Sequence, residues 1–187
     1  MENLHETKYS KATFGGGCFW CTEAVFQRVG GVIQISPGYM GGASANPTYK
    51  EICTGNTGHA EVIEIIFNPQ QISYEQLLEI FWHAHDPTTL NRQGNDIGTQ
   101  YRSVIFYHNE NQKLLAEQSI IEVASKIWND PIVTEISRAT TFYEAEPYHH
   151  NYYNSNSYAP YCRIVIHPKL EKVNKKFHPL LKNSHAE

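Results

Sequence analysis

The sequence predicts an α/β (α+β) fold: a single domain in which one mixed β-sheet is flanked by helices as a two-layer sandwich. Three observations carry that expectation. Strand-patterned runs alternate with helix-patterned ones through the chain, which calls for helices packed on a sheet. Residues 60–67 alternate in the period of a strand, with Glu61, Ile63, Ile65 and Phe67 on one face and Val62, Glu64 and Ile66 on the other. At 187 residues the chain fits one domain and can bury a full core without disulfides or metals.

Taken in order, Lys11 to Phe14 reads as a short strand that feeds the glycine run Gly15-Gly16-Gly17. A helix is expected from about Cys18 to Arg28, because Cys18, Cys21, Val25 and Val29 form one helical stripe and Gly30-Gly31 stops it. Val32 to Ser36 reads as a strand, followed by an irregular loop through Pro37-Gly38-Tyr39-Met40-Gly41-Gly42 and Asn46-Pro47. After the 60–67 strand, Asn68-Pro69 ends the run, and Ser73 with Gln76 forms a capping box ahead of a helix carrying Leu77, Leu78, Phe81 and Trp82. Asp86-Pro87 terminates that helix. Residues 87–100 show no periodicity, and a loop of that length in a compact domain is usually functional or disordered. Tyr101 to Tyr107 reads as a strand, Glu110 to Trp128 as a long helix stopped at Asp130-Pro131, Ile132 to Ile136 as a strand, and Arg163 to Ile166 as another. Pro168 suits the first turn of a last helix with the stripe Leu170, Val173, Phe177 and Leu180, and from Lys182 onward a loose tail is expected.

Composition narrows the function. A net charge of −4 gives no basic surface for nucleic acid or for an acidic membrane. No apolar run approaches spanning length, and the polar first residues lack the pattern of a secretory signal, so a cytoplasmic protein is expected. Four cysteines at irregular spacing suit catalysis or inert packing in a reducing compartment better than a disulfide framework. Five tyrosines between Tyr148 and Tyr161 suggest an ordered, polar-tipped aromatic surface.

The chemistry centres on Gly17-Cys18-Phe19-Trp20-Cys21. A glycine turn delivers Cys18 to a helix start, where free N–H groups and the positive dipole end favour a thiolate. The Cys-x-x-Cys spacing suits a redox pair. It is also half a zinc site, but Cys53 and Cys162 stand alone and supply no second paired motif. Glu61 opens an apolar strand face, and a carboxyl in apolar surroundings holds its proton near neutral pH and can serve as an acid; an exposed glutamate at a strand end is the plainer alternative. Tyr49, Asp96 and Tyr101 fall on or beside the two irregular loops, where tyrosine hydroxyls can donate to an oxygen that gains negative charge. His83, His85, His149 and His150 read as satisfied structural histidines.

Gly17-Cys18-Phe19-Trp20 followed by Glu23 resembles the signature of the peptide methionine sulfoxide reductase A family. The resemblance continues in order through Gly38-Tyr39, Asn46-Pro47-Thr48-Tyr49, Cys53 with Thr57-Gly58-His59-Ala60-Glu61-Val62, Phe81-Trp82, and His85-Asp86-Pro87-Thr88. It goes on through Gln93-Gly94-Asn95-Asp96, Gly98-Thr99-Gln100-Tyr101-Arg102-Ser103, Phe142-Tyr143, Ala145-Glu146 and Tyr148-His149. It implies a cofactor-free, thiol-dependent reduction of methionine-S-sulfoxide, free or in oxidised proteins, as protein repair under oxidative stress. Cys18 would attack the sulfur, and Glu61 would protonate the oxygen with help from Tyr49 and Tyr101. Asp96 would order the polar site, and Phe19 and Trp20 would hold the terminal methyl group. Cys18 would be left as sulfenic acid, condense with a second thiol to a disulfide, and be recycled by thioredoxin. It also implies a tail over residues 1–9, a catalytic domain over 10–167, and a C-terminal helix and tail over 168–187.

The chain departs from the commonest family pattern in having Cys21 where many members have glycine, and in ending with an amphipathic helix that carries no further cysteine. Cys162, in an Asn- and Tyr-rich segment expected to be mobile, is the favoured resolving thiol, with Cys21 as the alternative; Cys53 is expected to be a small buried residue. Two other readings stand beside this one. A dithiol–disulfide oxidoreductase or thiol peroxidase would use Cys18 and Cys21 and leave Glu61 without a role. A zinc-stabilised binding module would hold a metal at the cysteines.

Overall fold

The computed structural model describes residues 8–182. Residues 1–7 and 183–187, where the sequence predicts a polar N-terminal tail and a loose C-terminal end, lie outside them. A six-stranded sheet in the order β7-β6-β1-β3-β2-β8 is paired antiparallel throughout except for parallel β6 and β7. The first half of the chain supplies β1 (Ser10–Gly15), α1 (Phe19–Phe26), β2 (Val32–Met40), α2 (Tyr49–Ile52), β3 (Ala60–Phe67) and α3 (Tyr74–Ala84). A small hairpin, β4 (Arg92–Gln93) and β5 (Asp96–Ile97), precedes β6 (Val104–Tyr107). A long helix follows as α4 (Glu110–Ser119), a π-helical turn (Ile120–Ala124) and α5 (Ser125–Ile127). β7 (Glu135–Arg138), β8 (Tyr143–Glu144), α6 (Tyr152–Ser155) and α7 (His167–Phe177) complete the chain.

The mixed sheet with helices packed on it is the predicted class. β3 sits at the centre because both of its faces are apolar enough to be covered: Ile63 and Ile65 join the main core with Phe14, Phe26, Leu78 and Phe81, while Val62 joins Met40, Val104 and Phe106 on the opposite face. The predicted capping box of α3 is present, Gln76 N donating to Ser73 Oγ at 3.1 Å and Ser73 N to Gln76 Oε1 at 3.0 Å. The same motif at Thr48 and Glu51 starts α2, a short helix where the sequence pattern shows no periodicity.

Other differences have identifiable causes. β2 does not stop at Ser36 but runs through Pro37 to Met40. The Pro37 carbonyl accepts from Ala145 N at 2.9 Å, on the β8 side, so the N–H that proline lacks would also have faced outward, and the ladder to β3 loses nothing. Residues 101–103 precede β6 instead of belonging to it, Tyr101 closing a 3-10 turn (Thr99–Tyr101). The expected strand at Arg163 to Ile166 is helix: a π-helical turn (Cys162–Ile166) runs directly into α7. The β-branched run Ile164-Val165-Ile166 suggests a strand, but the buried residues Cys162, Ile166, Leu170, Val173 and Phe177 repeat at helical spacing, and burial of that stripe against α1 and α3 outweighs local propensity. Residues 87–100 are ordered by the hairpin and by Gln93, whose side chain both accepts from Asp86 N and donates to Asp86 O.

β8 reaches the sheet only because Gly38 has no side chain: a Cβ there would lie 2.3 Å from the Phe142 ring. Gly38→Ala is therefore expected to destabilise the fold by about 1–3 kcal/mol and to loosen the β2–β8 pairing. Urea unfolding together with amide exchange at Ala145 checks both; a midpoint equal to that of the native chain would contradict the packing argument.

Candidate active site

Cys18 is placed by three elements at once. β1 delivers the chain to Gly17, whose φ of +88° lies in the left-handed region and whose missing Cβ leaves room for Gln93, 2.6 Å from where that atom would be. Cys18 then occupies the N-cap position of α1 with extended backbone and is 8% exposed. The first helical amide, Phe19 N, has no partner within its helix and donates instead to Glu61 Oε1 at 3.2 Å. The carboxyl on β3 is thereby tied to the residue next to Cys18.

Glu61 is 1% exposed, as the apolar-face reading requires and the strand-end alternative does not. Burial raises its pKa to about 8 against the opposing pull of the Phe19 amide, with the charges of Asp96 and Cys21 adding to the rise. At neutral pH the group is a neutral acid. Oε1 is occupied by the amide, while buried Oε2 has no partner in the protein and is left to carry the proton.

Cys18 and Cys21 lie one helical turn apart, with Cys21 N donating to the Cys18 carbonyl at 3.0 Å, and their side chains are near enough to shift one another's titration. Burial pushes Cys18 well above the ordinary thiol range, with the Cys21 contact and the Glu61 charge acting in the same direction and the Trp20 amide against it. Cys21 is drawn down to about 7, chiefly by the hydrogen bond from Cys18; burial opposes this and the Lys169 charge assists it. The sequence suggests a Cys18 thiolate at the helix start; the structure instead draws down Cys21, so the pair loses its first proton from Cys21 near neutrality while Cys18 keeps its own as donor. The Tyr161 hydroxyl lies 3.6 Å from Cys21 Sγ and donates to Asp96 Oδ2 at 2.7 Å, bringing Asp96 to the site through a tyrosine that no local sequence motif marks.

Tyr49 and Tyr101 are both half-buried near the carboxyl. Burial and then the Glu61 charge raise their pKa values, so both stay protonated as donors. Phe19 is buried between the rings of Tyr39 and His149. Trp20 stacks on Tyr152 at 3.7 Å and donates from Nε1 to His149 Nδ1 at 2.9 Å. His149, read from sequence as merely structural, thus fixes the Trp20 indole. Glu146 braces the same wall, accepting from Tyr39 Oη at 3.2 Å and Tyr49 N at 3.1 Å. The crowding of tyrosines after residue 148 was the available signal for this wall.

Two cysteines differ from expectation. Cys53 is exposed, at the C-terminal end of α2. Cys162 is not in a mobile segment: it is fully buried in the π-helical turn, with Cys21 close enough to raise its pKa further, after burial. A cavity of about 450 Å³ opens on Cys18 and is walled by Gln93, Asp96, Tyr161, Val165 and Lys169 among others. Among the described residues no three His, Cys, Asp or Glu side chains are grouped so as to hold a metal ion.

Residues 10–181 match the sequence profile of a family described as peptide methionine sulfoxide reductase. The chain is 59% identical over 166 residues to the peptide methionine sulfoxide reductase MsrA of Saccharolobus solfataricus, covering 89% of this chain and 93% of that one. It is similar to the reduced form of Mxr1 from Saccharomyces cerevisiae, with a TM-score of 0.75 and 34% identity over 81% of this chain and 88% of that one. The structure of Mxr1 in complex with Trx2 shares the fold at a TM-score of 0.51 and 24% identity, over 78% and 87% of the two chains.

A carboxyl held neutral by burial has a consequence for stability. With a folded pKa near 8 and an ordinary one in the unfolded chain, Glu61 binds its proton more tightly in the folded state. Its contribution is therefore complete in acid and declines as pH rises, by about 3 kcal/mol by pH 7. Glu61→Gln has no such slope, so its stability relative to the native chain is expected to rise between pH 5 and pH 7. Urea unfolding at the two pH values checks this, and a gap that does not change with pH would contradict the neutral acid.

Proposed function

The chain belongs to the peptide methionine sulfoxide reductase family, and from that premise we propose how it reduces methionine-S-sulfoxide, free or in oxidised proteins, to methionine. The observation that carries the proposal is the buried, unionised Glu61, bonded to the amide beside Cys18 with a second oxygen free of protein partners. A sulfoxide oxygen leaves only when protonated, and its sulfur accepts a thiolate only when that oxygen is bonded. Glu61 donates to the oxygen while Tyr49 and Tyr101 add hydrogen bonds to it. Phe19 and Trp20, the latter held by Tyr152 and His149, seat the terminal methyl group.

Cys18 passes its proton to ionised Cys21 and attacks the sulfur as the thiolate. The S–O oxygen passes to Cys18 with the proton from Glu61, methionine leaves, and Cys18 becomes a sulfenic acid. We propose Cys21 as the thiol that condenses with it, releasing water and forming a disulfide. What supports Cys21 over Cys162 is its place one helical turn from Cys18, its direct electrostatic coupling to that thiol and its pKa of about 7, whereas burial raises the pKa of Cys162. Thioredoxin, the partner of the yeast relative in its solved complex, fits as the dithiol that reduces the disulfide by exchange.

Residues 10–167 hold every group of this proposal, with 168–187 as an extension of that unit. Four free cysteines suit a reducing compartment, so the cytoplasm is the proposed location. No helix among the described residues is long and apolar enough to cross a membrane.

The mechanism needs an ionised thiol pair and a protonated carboxyl together. The pair gains its charge as pH rises through about 7 and Glu61 loses its proton through about 8. Turnover is expected to be bell-shaped between those limbs. Cys18→Ser abolishes reduction, and Glu61→Gln slows it on the order of 10²-fold or more and removes the alkaline limb. Stopped-flow reduction of methionine sulfoxide across pH checks these; a reductase-competent Cys18→Ser protein ends the proposal. After one equivalent of sulfoxide, peptide mass spectrometry is expected to find Cys18 linked to Cys21. Thioredoxin-dependent turnover is lost in Cys21→Ser and kept in Cys162→Ser, and the reverse pattern makes Cys162 the resolving thiol.

A further inference from the structure

The cavity over Cys18 has a cation on its wall that the chemistry above does not use toward the substrate. Lys169 stands in the first turn of α7, partly buried, with the apolar side chains Ile164 and Val165 beside it. Among the described residues no carboxylate lies within 4.0 Å of its ammonium group; the ion pairs near it in sequence are made by other residues. Asp96 lines the same cavity, but Tyr161 already donates to its Oδ2 at 2.7 Å, and the residue stays out of ion-pair range of Lys169. A partly desolvated ammonium without a counter-ion, facing a cavity, is a site for an anionic group.

Substrate geometry says which anion. With the sulfoxide sulfur over Cys18, two methylene groups separate it from the α-carbon, so the main chain of the reacting residue lies one short side chain away. A cavity of about 450 Å³ has room for that main chain as well as the sulfoxide. We propose that Lys169 is a specificity-determining residue that binds a carboxylate of the substrate. The carboxylate is either the α-carboxylate of free or chain-terminal methionine sulfoxide or an acidic side chain next to it in a peptide. This rests on the reading of Cys18 as the attacking group. α7 then does more than close the core: it presents a charge to the substrate from outside the segment that supplies the catalytic groups.

The test compares substrates on the native protein, Lys169→Met and Lys169→Glu, with dithiothreitol as reductant so that partner docking plays no part. Four probes are used: N-acetylmethionine-S-sulfoxide, its N-methylamide without the carboxylate, and two short amidated peptides in which the sulfoxide is followed by glutamate or by lysine. Lys169→Met is expected to raise KM about tenfold for carboxylate-bearing probes and to leave KM for the N-methylamide unchanged. Any change in kcat through the thiol pair is common to all four probes and cancels in the ratios. A rise for the acetylated acid assigns the α-carboxylate; a rise confined to the glutamate peptide assigns the side chain. Lys169→Glu is expected to prefer the lysine peptide. Equal losses on all probes, or no loss on any, overturn the proposal. If the native protein reduces none of the probes, including the N-methylamide, it is the functional reading that fails, and this one with it.

Discussion

The hydrogen bond from Phe19 N to Glu61 Oε1 is the constraint on which the site depends. It joins the start of α1 to the middle strand of the sheet, and so fixes the separation between the nucleophile and the acid. A buried carboxyl is stable only if neutral or well bonded. One amide is enough to hold the group in place but not enough to ionise it. Had Glu61 received two or three amides, its pKa would fall and the acid would be lost; had it received none, its orientation would be free. The sheet register that pairs Glu61 with Tyr39 and Phe14 with Ile63 puts the carboxyl at the end of β1 where the chain turns into α1.

The remainder of the site is built to hold that pair of groups rather than to react. His149 and Tyr152 immobilise Trp20, Glu146 ties Tyr39 to the Tyr49 backbone, and Gln93 occupies the gap left by Gly17 while clamping Asp86. Each contact comes from a segment without long regular structure, so their order depends on side-chain bonds to the sheet and helices. A dithiol oxidoreductase would need Cys18 and Cys21 but would gain nothing from a destabilising neutral carboxyl beside them. The presence of that carboxyl is what separates the two chemistries.

Much of this was legible in the sequence where local pattern and tertiary burial agree. The alternation in 60–67, the Ser73–Gln76 capping box and the Gly17-Cys18 turn all reappear as read, and Glu61 faces the apolar interior its strand face implied. Reading failed where the two conflict. Ile164-Val165-Ile166 has strand propensity but lies on a helix whose buried stripe is set by Cys162, Ile166 and Leu170. Pro37 looks like a breaker, yet the side on which it lacks a donor faces away from β3. Cys53 looks like core and is exposed, because α2 buries Ile52 instead. The roles of Tyr161, His149 and Lys169 follow from distances between segments remote in sequence, which no local periodicity encodes.

The thiols and the carboxyl also determine one another's charge. Ionised Cys21 raises the pKa of Glu61, and ionised Glu61 raises that of Cys18. Two negative charges among these three groups are therefore disfavoured, and near neutrality the three together carry one. That charge can sit on the sulfurs with the proton on the carboxyl, or on the carboxyl with both thiols neutral; only the first arrangement is reactive. With Cys21 drawn down and Glu61 pushed up, the first is the favoured one. The Cys18 hydrogen bond to Cys21 and the Lys169 charge favour the sulfurs, and burial of Glu61 keeps the charge off the oxygen. The carboxyl is thus already protonated at rest, and the one proton still to move is that of Cys18, which passes to Cys21 when the attack begins.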